Sequence, residues 1–140
     1  MTASAPAKAS EFRFRLDAHS GVPVYRQLID QVLAAVARGA LRTGDQLPTV
    51  RQVAVDLAIN PNTVMRAYRE MEIREILDTQ QGSGTFIAET KTAGSGEERE
   101  RQMEQLVVEF VARGGSLGFT AQEMIRRLRE MVEETASRRK

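Results

Sequence analysis

The chain has 140 residues, enough for one domain or for a small domain with an appendage. Its 20 Lys+Arg balance 19 Asp+Glu, with ten basic and ten acidic residues up to Glu89 and ten and nine from Lys91 onward. Neither half is a basic footprint, so nucleic-acid binding would have to rest on where charges sit. The lack of cysteine excludes disulfides, zinc ribbons and thiol chemistry.

Residues 1–10, MTASAPAKAS, read as a disordered N-terminus without the apolar core of a secretory signal. No apolar run approaches membrane-spanning length, so the expected location is the cytoplasm, with no membrane partner. Next, EFRFRL alternates Phe12, Phe14 and Leu16 against Arg13 and Arg15, which predicts a half-buried strand. The single histidine, His19, lies in the turn-like DAHSG and reads as a solvated loop residue. No second histidine or cysteine completes a metal or nucleophile constellation, and the scattered carboxylates read as helix surface. An enzyme is not expected, and no cofactor is.

A turn at Gly21-Val22-Pro23 leads into a helix over 24–38 with the stripe Tyr25, Leu28, Ile29, Val32 and Val36. GALRTGDQLP ends it. Thr49 and Gln52 then form a T-x-x-Q capping box that opens a short second helix, whose buried face is Val50, Val53, Ala54 and Leu57. Only Ala58 and Ile59 separate that helix from Asn60, a preferred N-cap, and Pro61 suits the first helical position. Val64, Ala67, Tyr68 and Met71 follow at i, i+3, i+4, i+7 as one apolar stripe. Two short amphipathic helices across a tight turn predict a helix-turn-helix. The third helix fades after Arg74. Strands near 76–80 and 85–88, around Gly82 and Gly84, predict a hairpin. Three helices and a hairpin make a winged helix-turn-helix.

TKTAGSG, residues 90–96, reads as a linker. Two more amphipathic helices follow. One spans 97–113 with Met103, Leu106, Val107, Phe110 and Val111; the other spans 121–135 with Met124, Ile125, Leu128, Met131 and Val132. Thr120 and Glu123 form a second capping box between them. The fold class is therefore mainly α with a small β-hairpin. A winged helix-turn-helix occupies 11–89 and a two-helix segment 97–140.

With its stripe buried, the third helix leaves Asn62, Thr63, Arg66 and Arg69 facing outward or at the rim. A recognition helix enters the major groove by its N-terminal end. Asparagine can pair bidentately with adenine and arginine with guanine, while threonine can hydrogen-bond or meet a thymine methyl. The backbone N–H groups of a helix start also favour phosphate. An ordinary capped surface helix would show the same polarity; the tight turn before it and the hairpin after it point to DNA.

These residues carry a resemblance. P-x-Y-x-Q, G-x-x-L-P-T-x-R, N-P-N-T-V-x-R-A-Y and G-x-G-T-F follow one another from about Ser20 to Glu89. In that order and spacing the segment resembles the winged-helix domain of the GntR family of bacterial transcription regulators. The resemblance implies that Arg51 reaches the DNA backbone or groove edge. It implies too that Asn60, Asn62, Thr63 and Arg66 occupy recognition-helix positions, and that Gly82 lies at the wing tip near the minor groove. Three positions depart from the family pattern. Glu75 replaces a usual glycine, Ile73 replaces a usually charged residue and would be exposed, and Gln80-Gln81 stands where basic residues are common.

About 50 residues after the winged helix cannot enclose a roomy metabolite cavity, and they look like the short tail of the YtrA-type subfamily. Two apolar stripes with little partner surface imply pairing with a second subunit through Leu106, Phe110, Ile125, Leu128 and Val132. Packing back onto their own winged helix is the other way to cover them. The expected function is sequence-specific regulation of transcription as a homodimeric repressor on a (pseudo)palindromic double-stranded DNA operator. A small-molecule effector, where one exists, would bias the angle between the two winged helices. The alternative is a winged helix used as a protein-interaction module, favoured by the missing basic patch and the Gln80-Gln81 wing. The GSG at 82–84 lacks a following helix and so fails the context of a dinucleotide motif.

Overall fold

The structure, a computed structural model, describes residues 12–90 and 94–139. The disorder read for residues 1–10 and the middle of the 90–96 linker fall outside them. The elements in order are α1 (Val24–Ala37), α2 (Val50–Leu57), α3 (Pro61–Ile73), β1 (Leu77–Gln80), β2 (Gly84–Ile87), α4 (Gly96–Ser116) and α5 (Ala121–Arg139). The chain divides into two compact units, 1–90 and 91–140.

In the first unit α1 and α2 both pack on α3, and α3 packs on β1. The expected stripe of α3 is the centre of the core, with Val64, Ala67, Tyr68 and Met71 all buried. Leu28, Ile29, Val32 and Ala35 of α1 meet it, joined by Val53 and Ala54 of α2, by Leu41 and Leu47 from the loop between, and by Leu77 and Ile87 of the hairpin. Because every element donates one apolar face to the same cluster, the opposite face of α3 is left to solvent.

The helix-turn-helix forms as the caps dictate. The Thr49 hydroxyl accepts from the Gln52 N–H at 3.1 Å, and the Gln52 side chain accepts from the Thr49 N–H at 2.8 Å. At its other end α2 closes with the Ile59 N–H on the Ala54 carbonyl and the Ala58 N–H on the Val55 carbonyl. This closure puts Ala58 in the left-handed region at φ 54°. Helix α3 ends the same way: the Ile76 N–H bonds the Met71 carbonyl, the Glu75 N–H bonds the Glu72 carbonyl, and Glu75 takes φ 60°. The departure from glycine at this site is thus accommodated with positive φ rather than by a longer helix.

One expected element differs. Residues 12–16 belong to no strand. Their alternation holds, since Phe14 is buried while Phe12 and Leu16 pack half-buried against the core. What replaces a strand partner is a glutamine side chain. Gln31 accepts from the Arg15 N–H at 2.8 Å and donates to the Arg15 carbonyl at 2.6 Å. Gln27 treats the next turn alike, accepting from the Asp17 N–H and donating to the Val22 carbonyl. Two amides of α1 therefore satisfy backbone groups that a sheet would otherwise have to pair.

The hairpin is antiparallel, with Leu77 opposite Ile87 and Gln80 opposite Gly84. The loop before α2, expected only as a helix break, lies along β2. The Leu47 N–H bonds the Thr85 carbonyl and the Ile87 N–H bonds the Asp45 carbonyl, each at 2.9 Å, with Gln46 facing Phe86. This rung covers the edge of β2 that β1 leaves unpaired.

In the second unit α4 starts at Gly96, inside the span read as linker, because Ser95 caps it by accepting from the Glu98 N–H. It runs through Gly114 to Ser116, three residues past the expected end. There α5 crosses so closely that a Cβ on Gly114 would overlap the Met124 sulfur. The predicted Thr120–Glu123 capping box is present, with N–H to side-chain distances of 3.1 and 3.2 Å. Helix α5 then continues to Arg139. Among the described residues of these helices only Gly114 and Thr135 are buried. No helix among the described residues is long and apolar enough to cross a membrane.

Candidate nucleic-acid interface

The tip of α3 gathers four of the six residues singled out for DNA. Asn60, Asn62 and Arg66 are exposed there and Thr63 is half-buried. Asn60 is spent on the cap: its Oδ1 accepts from the Asn62 N–H at 2.8 Å. Bidentate pairing with adenine needs both the carbonyl and the amine of an asparagine. Asn60 keeps only its amine free for a base, whereas the side chain of Asn62 has no cap to hold. Arg51, exposed at the second position of α2, lies on the neighbouring helix.

Gly82 sits in the 81–83 turn at φ 83°, a backbone state that suits glycine, with open space around it. Its neighbour Gly84 has φ 129°, and a Cβ there would strike the side-chain amide of Gln46. That amide donates to the Ser83 carbonyl at 3.2 Å and so ties the turn to the loop before α2. A second tie joins helix and hairpin, where the Thr79 hydroxyl donates to the Glu72 carboxylate at 2.8 Å. Gln80 and Gln81 are exposed and neutral, as the sequence implies.

The orientation of α3 is fixed from behind. The Tyr68 hydroxyl donates to the Pro48 carbonyl at 2.6 Å, fastening the middle of α3 to the residue before the α2 cap. Burial pushes this hydroxyl well above the usual tyrosine range, so it stays protonated and able to donate. Ile73, as expected for its position, is 75 % exposed.

Two side chains beside the α3 tip were not anticipated from the sequence. Tyr25 was read as the start of the α1 stripe, yet its ring lies under Arg66, whose guanidinium carbon is 3.9 Å from the ring centroid. The clue was its place at the solvent end of the stripe, where an aromatic keeps one face uncovered. Met65, next to Arg66 and outside the buried stripe, is 45 % exposed. The residues expected to pair subunits are all open: Leu106 is 62 % exposed, and Phe110, Ile125, Leu128 and Val132 are about half exposed.

The family model described as bacterial regulatory proteins, gntR family, matches residues 24–87. The chain is 38 % identical over 114 residues to the uncharacterized HTH-type transcriptional regulator YhcF of Bacillus subtilis, covering 81 % of this chain and 93 % of that protein. It is 36 % identical to the HTH-type transcriptional repressor YtrA of the same organism, covering 68 % of this chain and 76 % of the relative. Among solved structures, a transcriptional antiterminator from Listeria monocytogenes superposes with a TM-score of 0.63 at 28 % identity, covering 90 % of this chain and 94 % of that one.

Proposed function

The chain belongs to the GntR family of bacterial transcription regulators, and from that premise we propose that it is a repressor that binds a (pseudo)palindromic DNA operator as a homodimer. The observation that carries this reading is the tip of α3. Its inner face is wholly buried while Asn62 and Arg66 stand exposed at the N-terminal end, the end by which a recognition helix enters the major groove. Asn62, Thr63 and Arg66 read base edges. Arg51, the N–H groups of the helix start and the Gly82 turn set the register on the backbone. The repressor assignment takes its support from the relative named as one.

In this reading residues 11–89 are the DNA-binding domain and 97–140 the dimerisation segment. A second copy covers the open faces of Leu106, Phe110, Ile125, Leu128 and Val132, since apolar surface of this extent is stabilised by removal from water. Two-fold symmetry then places two α3 tips one helical turn of DNA, roughly 34 Å, or a multiple apart. A small-molecule effector would act by changing that separation.

The test is selection of DNA by the purified chain from random oligonucleotides, followed by mobility-shift titration at two salt concentrations. Recovery of an inverted repeat, bound more weakly at the higher salt, is expected. Failure to select any sequence, or binding indifferent to salt, would support the protein-interaction module instead.

A further inference from the structure

The contact between Arg66 and Tyr25 joins an exposed charge to a fixed surface. Tyr25 is the second residue of α1, half-buried, and packs against the edge of the core. Its ring is therefore restrained on the side that meets the core. Arg66 is exposed on the outer face of α3, with its guanidinium carbon over that ring at 3.9 Å. Among the described residues no ion pair engages Arg66. The distinction matters chemically. A carboxylate would occupy the N–H fork, whereas a ring face attracts the cation through its quadrupole and leaves the donors for another acceptor.

A free arginine at this position would lose much rotamer freedom on reaching into a groove. Holding it beforehand lowers that cost, which is the general benefit of preorganisation. We propose that Tyr25 is a positioning residue for DNA readout: its ring holds the Arg66 guanidinium at the α3 tip, with the N–H fork presented to a guanine edge in the major groove. The proposal rests on the DNA-binding reading above. Tyr25 acts through Arg66 and makes no base contact of its own.

The experiment uses the full chain, the operator selected as described, and a set of operators each changed at one half-site position. Affinities are measured for the wild type, Arg66→Ala, Tyr25→Phe, Tyr25→Leu and the Tyr25→Leu/Arg66→Ala double variant. Circular dichroism melting reports whether each is folded, and Tyr25→Met replaces Tyr25→Leu should that variant not fold. Arg66→Ala is expected to abolish preference at one base pair. Tyr25→Phe keeps the ring and retains that preference. Tyr25→Leu lowers the preference at the same base pair by about two- to fivefold, leaves other positions unchanged, and has no further effect there when added to Arg66→Ala.

Three results overturn the proposal alone: Tyr25→Leu leaving the Arg66 base pair untouched, weakening all sequences evenly, or costing as much again in the Arg66→Ala background. If Arg66→Ala changes no position while the wild type still selects an operator, the role of Arg66 and the proposal fall together and DNA binding stands. If the wild type selects nothing, the DNA-binding reading fails and the proposal goes with it.

Discussion

The Tyr68 hydroxyl and the Pro48 carbonyl, 2.6 Å apart, link the buried side of α3 to the residue that precedes the α2 cap. Tyr68→Phe keeps the ring but strands that carbonyl. A loss of about 1 kcal/mol in unfolding free energy is expected, in line with one neutral hydrogen bond. Urea denaturation of wild type and variant checks it, and equal midpoints would show that the bond contributes nothing.

The same hydroxyl predicts a pH dependence. An unfolded tyrosine ionises near pH 10, whereas burial raises the folded value above this. Below pH 10 both states are protonated and the full stability is present. Above it the unfolded chain releases a proton that the folded chain retains, so stability falls as pH rises, by at most about 1.4 kcal/mol per pH unit. The slope between pH 9.5 and 11 is expected to be shallower in Tyr68→Phe. Parallel wild-type and variant curves would refute this.

Glu75 holds φ 60° after α3, in the left-handed position that closes the helix. Glu75→Gly removes the Cβ conflict and is expected to stabilise the first unit by about 1 kcal/mol, raising its melting temperature by several degrees. Calorimetry decides; a lower melting temperature would mean that the contacts made by the Glu75 side chain outweigh the strain.

The two asparagines at the tip are expected to separate cap from readout. Asn60→Ala loses the bond to the Asn62 N–H and is expected to cost about 1 kcal/mol of stability. Asn62→Ala leaves stability nearly unchanged but removes about 1–3 kcal/mol of discrimination at one base pair. Melting curves beside single-base operator titrations test both, and the reverse pattern would exchange the two roles.

The open stripes of α4 and α5 predict the assembly. Phe110→Glu and Leu128→Glu place charges where side chains are 46 % and 48 % exposed, so each helix can still form. Sedimentation is expected to show dimers for the wild type and monomers for the double variant, with much weaker operator binding. A double variant that still sediments as a dimer would place the interface elsewhere.

The fold was largely legible because its signals are local. The Thr49, Asn60 and Thr120 caps each act within three residues, and the period of Val64, Ala67, Tyr68 and Met71 is set by helix geometry alone. The expected strand at 12–16 is the instructive exception. Its alternation is real and Phe14 is buried, but hydrogen-bonding partners are chosen by what lies alongside, and there the partner is Gln31 rather than a strand. The pairing of residues 45–47 with β2 was hidden for the same reason. Helix α4 overran its expected end through Gly114, whose lack of a side chain serves close packing against Met124.

By itself the sequence determined the element types, the caps, which face of each helix is apolar, and the order of motifs that marks the family. All of these depend on covalent spacing and on residues a few positions apart. Only the tertiary structure decided which polar groups remain free to act. Asn60 is committed to its cap, Arg66 rests on a ring from 41 residues earlier in the chain, and Gln46 secures the turn at Ser83. Such pairings depend on distances across packed elements, and the packing of the shared core sets those distances.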